Sequence, residues 1–142
     1  MATMVAHPHV NHVPTMIGGS DKDDVESFYA NHFIYSNPKI TKITLEPISL
    51  KVDDNQLAEE LILVVEHTAT FDWLAPNVQP TNKTTEFPLV ALVKFATNDE
   101  GDWKVSHEHL YWDQASVLLQ LGVLTWSDEL DVTGAEQARK VR

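Results

Sequence analysis

The stretch from Trp103 to Gly122 limits the fold more than any other part of the chain. Trp103 to Trp112 reads as a strand. Asp113 then stands where a helix wants its N-cap, and the apolar run behind it predicts a short helix that Gly122 closes as a left-handed C-cap. A strand alternates its faces, so His107, His109, Tyr111 and Asp113 share one side while Glu108, Leu110 and Trp112 share the other. Two imidazoles, a phenol and a carboxylate are costly to bury unless paired or used, which points to a pocket on the first of these sides.

The preceding chain supplies the partners of that strand. Leu57 to Phe71 is apolar on both faces, with Leu61, Leu63, Val65, His67, Ala69 and Phe71 in phase, and predicts a long central strand. Thr84 to Ala96 predicts the next, joined to the last strand by a hairpin at Asn98-Asp99-Glu100-Gly101. Ile43 to Val52 predicts another, in which Pro47, lacking an N–H, suits an edge or a bulge. Asp72 to Lys83 reads as a loop carrying Trp73.

Ahead of these strands, Val25, Phe28, Tyr29, His32 and Phe33 recur at helical spacing and predict a helix from about Asp21 to His32, with a capping box at Ser20 and Asp23. Residues 1–19, with three histidines, two prolines and Gly18-Gly19, read as an irregular leader with one short extended piece around Val10-Asn11-His12-Val13. Gly134 to Val141 suggests a short final helix. The expectation is a single α+β domain over 1–142, with a curved antiparallel sheet wrapped on helices and a ligand cavity on its concave side.

Composition narrows the function. The 142 residues hold no cysteine, which removes disulfides, thiolate nucleophiles and cysteine-ligated zinc. A net charge of −11 argues against nucleic acid, which needs a basic stripe. No apolar run is long enough to span a membrane, and Met1 to Val13 lacks the pattern of a secretory signal; a cytoplasmic protein is expected.

Four motifs carry a resemblance: Asn11 to Thr15, Gly18-Gly19, Asp72-Trp73-Leu74-Ala75-Pro76, and Glu108 to Gln114 running into Leu119-Gln120-Leu121-Gly122. From about His9 to Val141 the chain resembles the SnoaL-like, polyketide-cyclase-like branch of the nuclear transport factor 2-like superfamily. The subgroup found beside dienelactone-hydrolase-like enzymes looks nearest. The resemblance implies a cone with a pocket between helix and curved sheet, a homodimer through the outer face of the sheet, and chemistry without cofactor or metal. The long N-terminal helix usual in the superfamily is missing before Ser20, and no Gly-x-Ser-x-Gly elbow is present, so hydrolase chemistry does not carry over.

Asp113 stands where such cyclases carry an acidic general acid/base; it is equally explained as the cap of the helix at Gln114. His107 and His109 can orient Asp113, chelate a divalent ion with it, or sit half-buried and hydrogen-bonded. The expected catalytic set is Asp113 assisted by His109 and His12. Trp73, Tyr111, Trp112, His67 and Phe33 are expected to bind substrate, with no metal site. The expected activity is an isomerisation, cyclisation or dehydration of a small apolar carbonyl compound. The alternative is a ligand-binding or dimerisation module without catalysis.

Overall fold

A computed structural model describes residues 3–33, 42–127, 129 and 131–142; the side chains of His32 and Phe33 lie outside the described set. Its elements in chain order are β1 (Met4–His12), β2 (Ile17–Gly19), α1 (Lys22–Phe28) continued by a π-helical turn (Tyr29–Phe33), β3 (Ile43–Asp53), β4 (Gln56–Glu66), β5 (Thr84–Thr97), β6 (Trp103–Trp112), α2 (Gln114–Leu121) and α3 (Glu136–Val141). The six strands form one sheet in the order β2-β1-β6-β5-β4-β3.

The meander β3 to β6 is antiparallel throughout, as the alternating sequence requires. The leader overturns the expectation of an irregular segment. It forms β1 and runs parallel to β6, with His9 beside His107 and Asn11 beside His109, so the sheet is mixed rather than purely antiparallel. The pairing breaks register between Met4 and His9, and the missing N–H of Pro8 falls inside that break, where a ladder bond is already lost. Gly18 is required here: with φ at 156° it pairs with Asn11, and a Cβ on it would overlap the Val10 carbonyl.

Two further bulges set the faces of the sheet. In β3, Pro47 pairs with Leu61 and Ser49 with Glu60, leaving Ile48 extra. In β6, Lys94 pairs with His107 and Phe95 with Val105, leaving Ser106 extra. The extra residue resets the alternation, so Val105 joins Glu108, Leu110 and Trp112 on one face. That face is the concave one: Leu61, Leu63, Val65, Phe87, Leu89 and Ala91 are buried on it.

α1 starts where the first helix is expected, but Asp21 rather than Ser20 is its cap, accepting from the Asp24 amide at 3.0 Å. Val25 and Phe28 are buried against the core that includes Val10, Phe71 and Trp73. β4 ends at Glu66, short of the expected Phe71, and the chain turns so that Phe71 and Trp73 enter the core from a loop. α2 buries Val117 and Leu121 in the same core, closed by Gly122 at φ 76°. α3 packs on β5, and its end crosses the convex face: Arg142 bonds Glu46 of β3 at 2.8 Å and Glu86 of β5 at 2.9 Å. Ile62, on β4 between those two strands, is fully buried. No helix among the described residues is long and apolar enough to cross a membrane.

Candidate functional site

The concave face holds a cavity of about 340 Å³, walled by β3 to β6 and by the indole of Trp73. Among the described residues every one that lines it is apolar except two, Glu59 on β4 and Glu108 on β6. A second, more open hollow of about 650 Å³ adjoins it; both are lined by Val105 and Glu108, and the second adds Thr3, Met4, Glu26, Tyr29 and Ala30. The bulge at Ser106 is why Val105 lines this wall, since strict alternation from Glu108 would put Ser106 and Lys104 there.

Glu108 is the polar centre of the two hollows. Tyr29, presented by the π turn after α1, donates its hydroxyl to Glu108 Oε2 at 2.6 Å, the length of a charge-assisted bond. Burial, then the charge of Glu108 and its hydrogen bond, hold the Tyr29 phenol above its ordinary pKa. The pair is therefore a phenol that keeps its proton and a carboxylate that accepts from it. Glu26, at the rim of the outer hollow, has Lys22 at 3.9 Å.

The side of β6 expected to carry the pocket faces the other way. His107 and Tyr111 are exposed and His109 is half-buried, all on the convex face, next to His9 of β1 and Lys94 of β5. There the rings contact one another instead of a cavity: His9 Nδ1 lies 2.8 Å from His109 Nε2, and the three imidazole centroids are 4.9 to 6.0 Å apart. The His109 pKa is lowered by burial and by His9, His107 and Lys94. Ser106 Oγ donates to the Lys94 carbonyl, so it accepts from His107 Nδ1 at 3.1 Å. Among the described residues no group of three His, Asp or Glu side chains is placed to hold a metal ion.

Asp113 lies beyond the cavity lining. Its Oδ1 accepts from the amides of Ala115 at 2.9 Å and Ser116 at 3.2 Å, and Oδ2 accepts from Gln137 of α3 at 2.8 Å. The carboxylate thus caps α2 and ties α3 to it.

His12 and His67 are buried in the core. His12 is 1% exposed and meets the rings of Phe28, Trp73 and Trp112 edge-on at 5.0 to 5.8 Å. Burial pushes its pKa down to about 4, against a smaller upward pull from a hydrogen bond to the Trp73 backbone. His67 Nδ1 accepts from the Thr81 amide at 3.1 Å, which places the ring proton on Nε2. Burial lowers its pKa as well.

Of the expected binding residues, Trp73 lines the cavity. Trp112 lies on the concave face with its Nε1 donating to Gln114 at 2.6 Å, and Gln114 in turn bonds the Leu74 carbonyl. Tyr111 points outward, and the Phe33 side chain falls outside the described residues. Sequence reasoning missed Glu108, Tyr29 and Glu59. The signal for Glu108 was present: it is the one carboxylate sharing a strand face with Leu110 and Trp112.

No family profile and no curated protein matches the chain. Solved structures do. A putative SnoaL-like polyketide cyclase from Jannaschia is similar over 87% of this chain and 76% of its own, at 17% identity and a TM-score of 0.62. An NTF2-like protein of unknown function from Burkholderia pseudomallei is similar over 84% and 80%, at 13% identity and 0.56. A hypothetical protein with a ketosteroid isomerase-like fold from Catenulispora acidiphila, solved with trimethylamine, is similar over 89% and 82%, at 12% identity and 0.56. The mixed sheet closed into a cone by helices, with a short N-terminal helical region, is the SnoaL-like and nuclear transport factor 2-like architecture, and this chain has it.

Proposed function

We propose that this protein binds a small, largely apolar carbonyl compound in the concave cavity and moves a proton on it, as an isomerase, cyclase or dehydratase. The observation that carries the reading is the Glu108–Tyr29 pair, a carboxylate and a protonated phenol 2.6 Å apart beside a wall that is apolar apart from Glu59. Glu108 takes the proton from a carbon next to the carbonyl, and Tyr29 turns its hydroxyl from Glu108 to the oxygen where charge develops. The step needs no cofactor. This reading moves the acid/base role from Asp113, His109 and His12 to Glu108, because none of those three is among the residues lining either hollow. Kinship with the subgroup beside dienelactone-hydrolase-like enzymes rests on the motifs from Asn11 to Thr15 and Glu108 to Gln114, and a cytoplasmic site of action belongs to the same proposal.

The test is deuterium wash-in at carbons next to the carbonyl across a panel of cyclic and aryl ketones, followed by NMR. Glu108→Gln is expected to slow exchange by about a hundredfold, the lower end for loss of a general base. Asp113→Asn keeps the capping oxygen and is expected to exchange within about twofold of the parent. Exchange that survives Glu108→Gln in a folded protein sinks the assignment. Absence of exchange in the parent protein across the whole panel would favour the second reading, a ligand-binding module without turnover, for which the predominantly aliphatic wall speaks.

The homodimer through the convex face is part of this proposal. Ile62 is already buried within the chain, and Arg142 ties the flanking strands β3 and β5 across it, so the apolar surface left there is smaller than the sequence suggests. Val90 and Tyr111, paired across β5 and β6 and each 40% exposed, remain as its nucleus. Sedimentation at micromolar concentration is expected to give a 32 kDa species, twice the 16.0 kDa chain. A 16 kDa boundary would show the face to be sufficiently covered from within the chain.

A further inference from the structure

We infer that the molecule accommodated in the concave cavity carries a protonated amine, and that Glu59 is the side chain that recognises it. This deepens the proposed function and rests on its cavity. Among the described residues lining the two adjoining hollows there is no lysine, arginine or histidine, while Glu26, Glu59 and Glu108 supply three carboxylates. The neutral hydrogen-bond donors among the described lining side chains are the hydroxyls of Tyr29 and Thr3 in the outer hollow, Tyr29 being engaged with Glu108, and the indole N–H of Trp73 in the concave cavity. A ligand bearing a carboxylate or phosphate would meet acceptors and no counter-charge. An ammonium meets counter-charge and finds acceptors for its N–H groups.

The three carboxylates are not equivalent. Glu108 is occupied by Tyr29, and Glu26 has Lys22 at 3.9 Å. Glu59 is half-buried on the concave face, and its cross-strand neighbours Leu50 and Ala91 are apolar. A carboxylate held partly out of water among aliphatic side chains gains most from a bound cation. The net charge of −11 adds a long-range pull on cations toward the protein.

The register also spaces the two functional ends. Glu59 lies in the row Glu59–Ala91–Leu110 across β4, β5 and β6, and Glu108 lies two residues along β6 from Leu110. Two strand spacings across and one pleat along put their Cα atoms about 12 Å apart. Both side chains border the same 340 Å³, which suits a compact ligand with its ammonium at Glu59 and its reacting carbon near Glu108. The apolar body of the ligand between them would lie on Trp73 and the leucines.

Three probes of similar length separate the possibilities: 4-phenylbutylamine (protonated at neutral pH), 4-phenylbutan-1-ol and 5-phenylpentanoate, titrated into the full chain by calorimetry. The amine is expected to bind at least tenfold tighter than the alcohol, and the carboxylate more weakly than either. Glu59→Gln is expected to cut amine affinity about tenfold and leave the alcohol unchanged. Glu60→Gln, which removes a charge from the opposite face of the same strand, is expected to change neither, and melting curves confirm that both variants fold. If the alcohol binds as tightly as the amine, or Glu59→Gln weakens both equally, the amine inference fails while the cavity reading stands. If none of the three binds, the cavity reading fails and the inference with it.

Discussion

Trp73→Ala is expected to lower the unfolding free energy by about 3–5 kcal/mol, the range for truncating a buried aromatic. Trp73 is 1% exposed and contacts the rings of His12, Phe71 and Trp112. Its backbone is pinned as well, because its carbonyl accepts from the Thr15 hydroxyl at 2.9 Å while the Phe71 carbonyl accepts from the amides of Leu74 and Ala75, the two residues that follow Trp73. Neighbours so constrained cannot collapse into the space left behind, which puts the cost at the upper part of the range. Since the indole also walls the 340 Å³ cavity, the lesion would open that cavity toward the core. Urea unfolding monitored by far-ultraviolet circular dichroism measures it. A loss under about 1 kcal/mol would mean that the loop from Phe71 to Ala75 is not packed as described.

Acid is expected to remove about 3 kcal/mol of stability through His12 alone. In the unfolded chain this imidazole titrates near 6.5, and in the folded protein burial pushes it down to about 4. Between those values the unfolded state binds a proton that the folded state refuses, so stability falls as pH falls. The contribution is complete above pH 6.5, is lost progressively from 6.5 down to 4, and does not change further below 4. The difference of about 2.5 units, at about 1.4 kcal/mol per unit, gives the magnitude. His67 and His109, also depressed, act in the same direction. Denaturant unfolding at pH 7.5, 5.5 and 4 on the parent and on His12→Gln checks it. The variant is expected to lose about 3 kcal/mol less across that range. Equal losses would show that His12 is not the neutral, buried group described.

The strand pattern was legible because the meander is local: β5, its hairpin, β6, the Asp113 cap, α2 and Gly122 all follow from short-range periodicity and turn chemistry. Only the end of β1, in the extended piece around Val10 to Val13, was legible, since its partner β6 lies about a hundred residues away and the stretch before it, with Pro8 and two histidines, has no strand signature. The face of β6 was misjudged for a physical reason. Counting ionisable groups favoured His107, His109 and Tyr111, whereas burial follows the apolar residues, and Leu110 and Trp112 take Glu108 inward with them. The bulge at Ser106 could not be read either, because it is a property of the β5–β6 pairing and not of either strand by itself. Tyr29 was recognised as part of the helix stripe, but only the π turn reveals that its hydroxyl reaches Glu108.

The interruption of β3 at Pro47 bears on how this protein meets its own copies. Within the described sheet β3 is the long free margin, eleven residues against three for β2 at the other end. A straight margin of that length would template the addition of another chain strand by strand, the route to continuous ribbons and fibrils. Pro47 deprives the margin of one donor, and the extra Ile48 bends it and throws the two halves out of phase. A foreign strand could follow only one half before losing register. Growth by strand addition along the rim of the cone is thereby cut short, which leaves the convex face as the place where the proposed pair would close and stop.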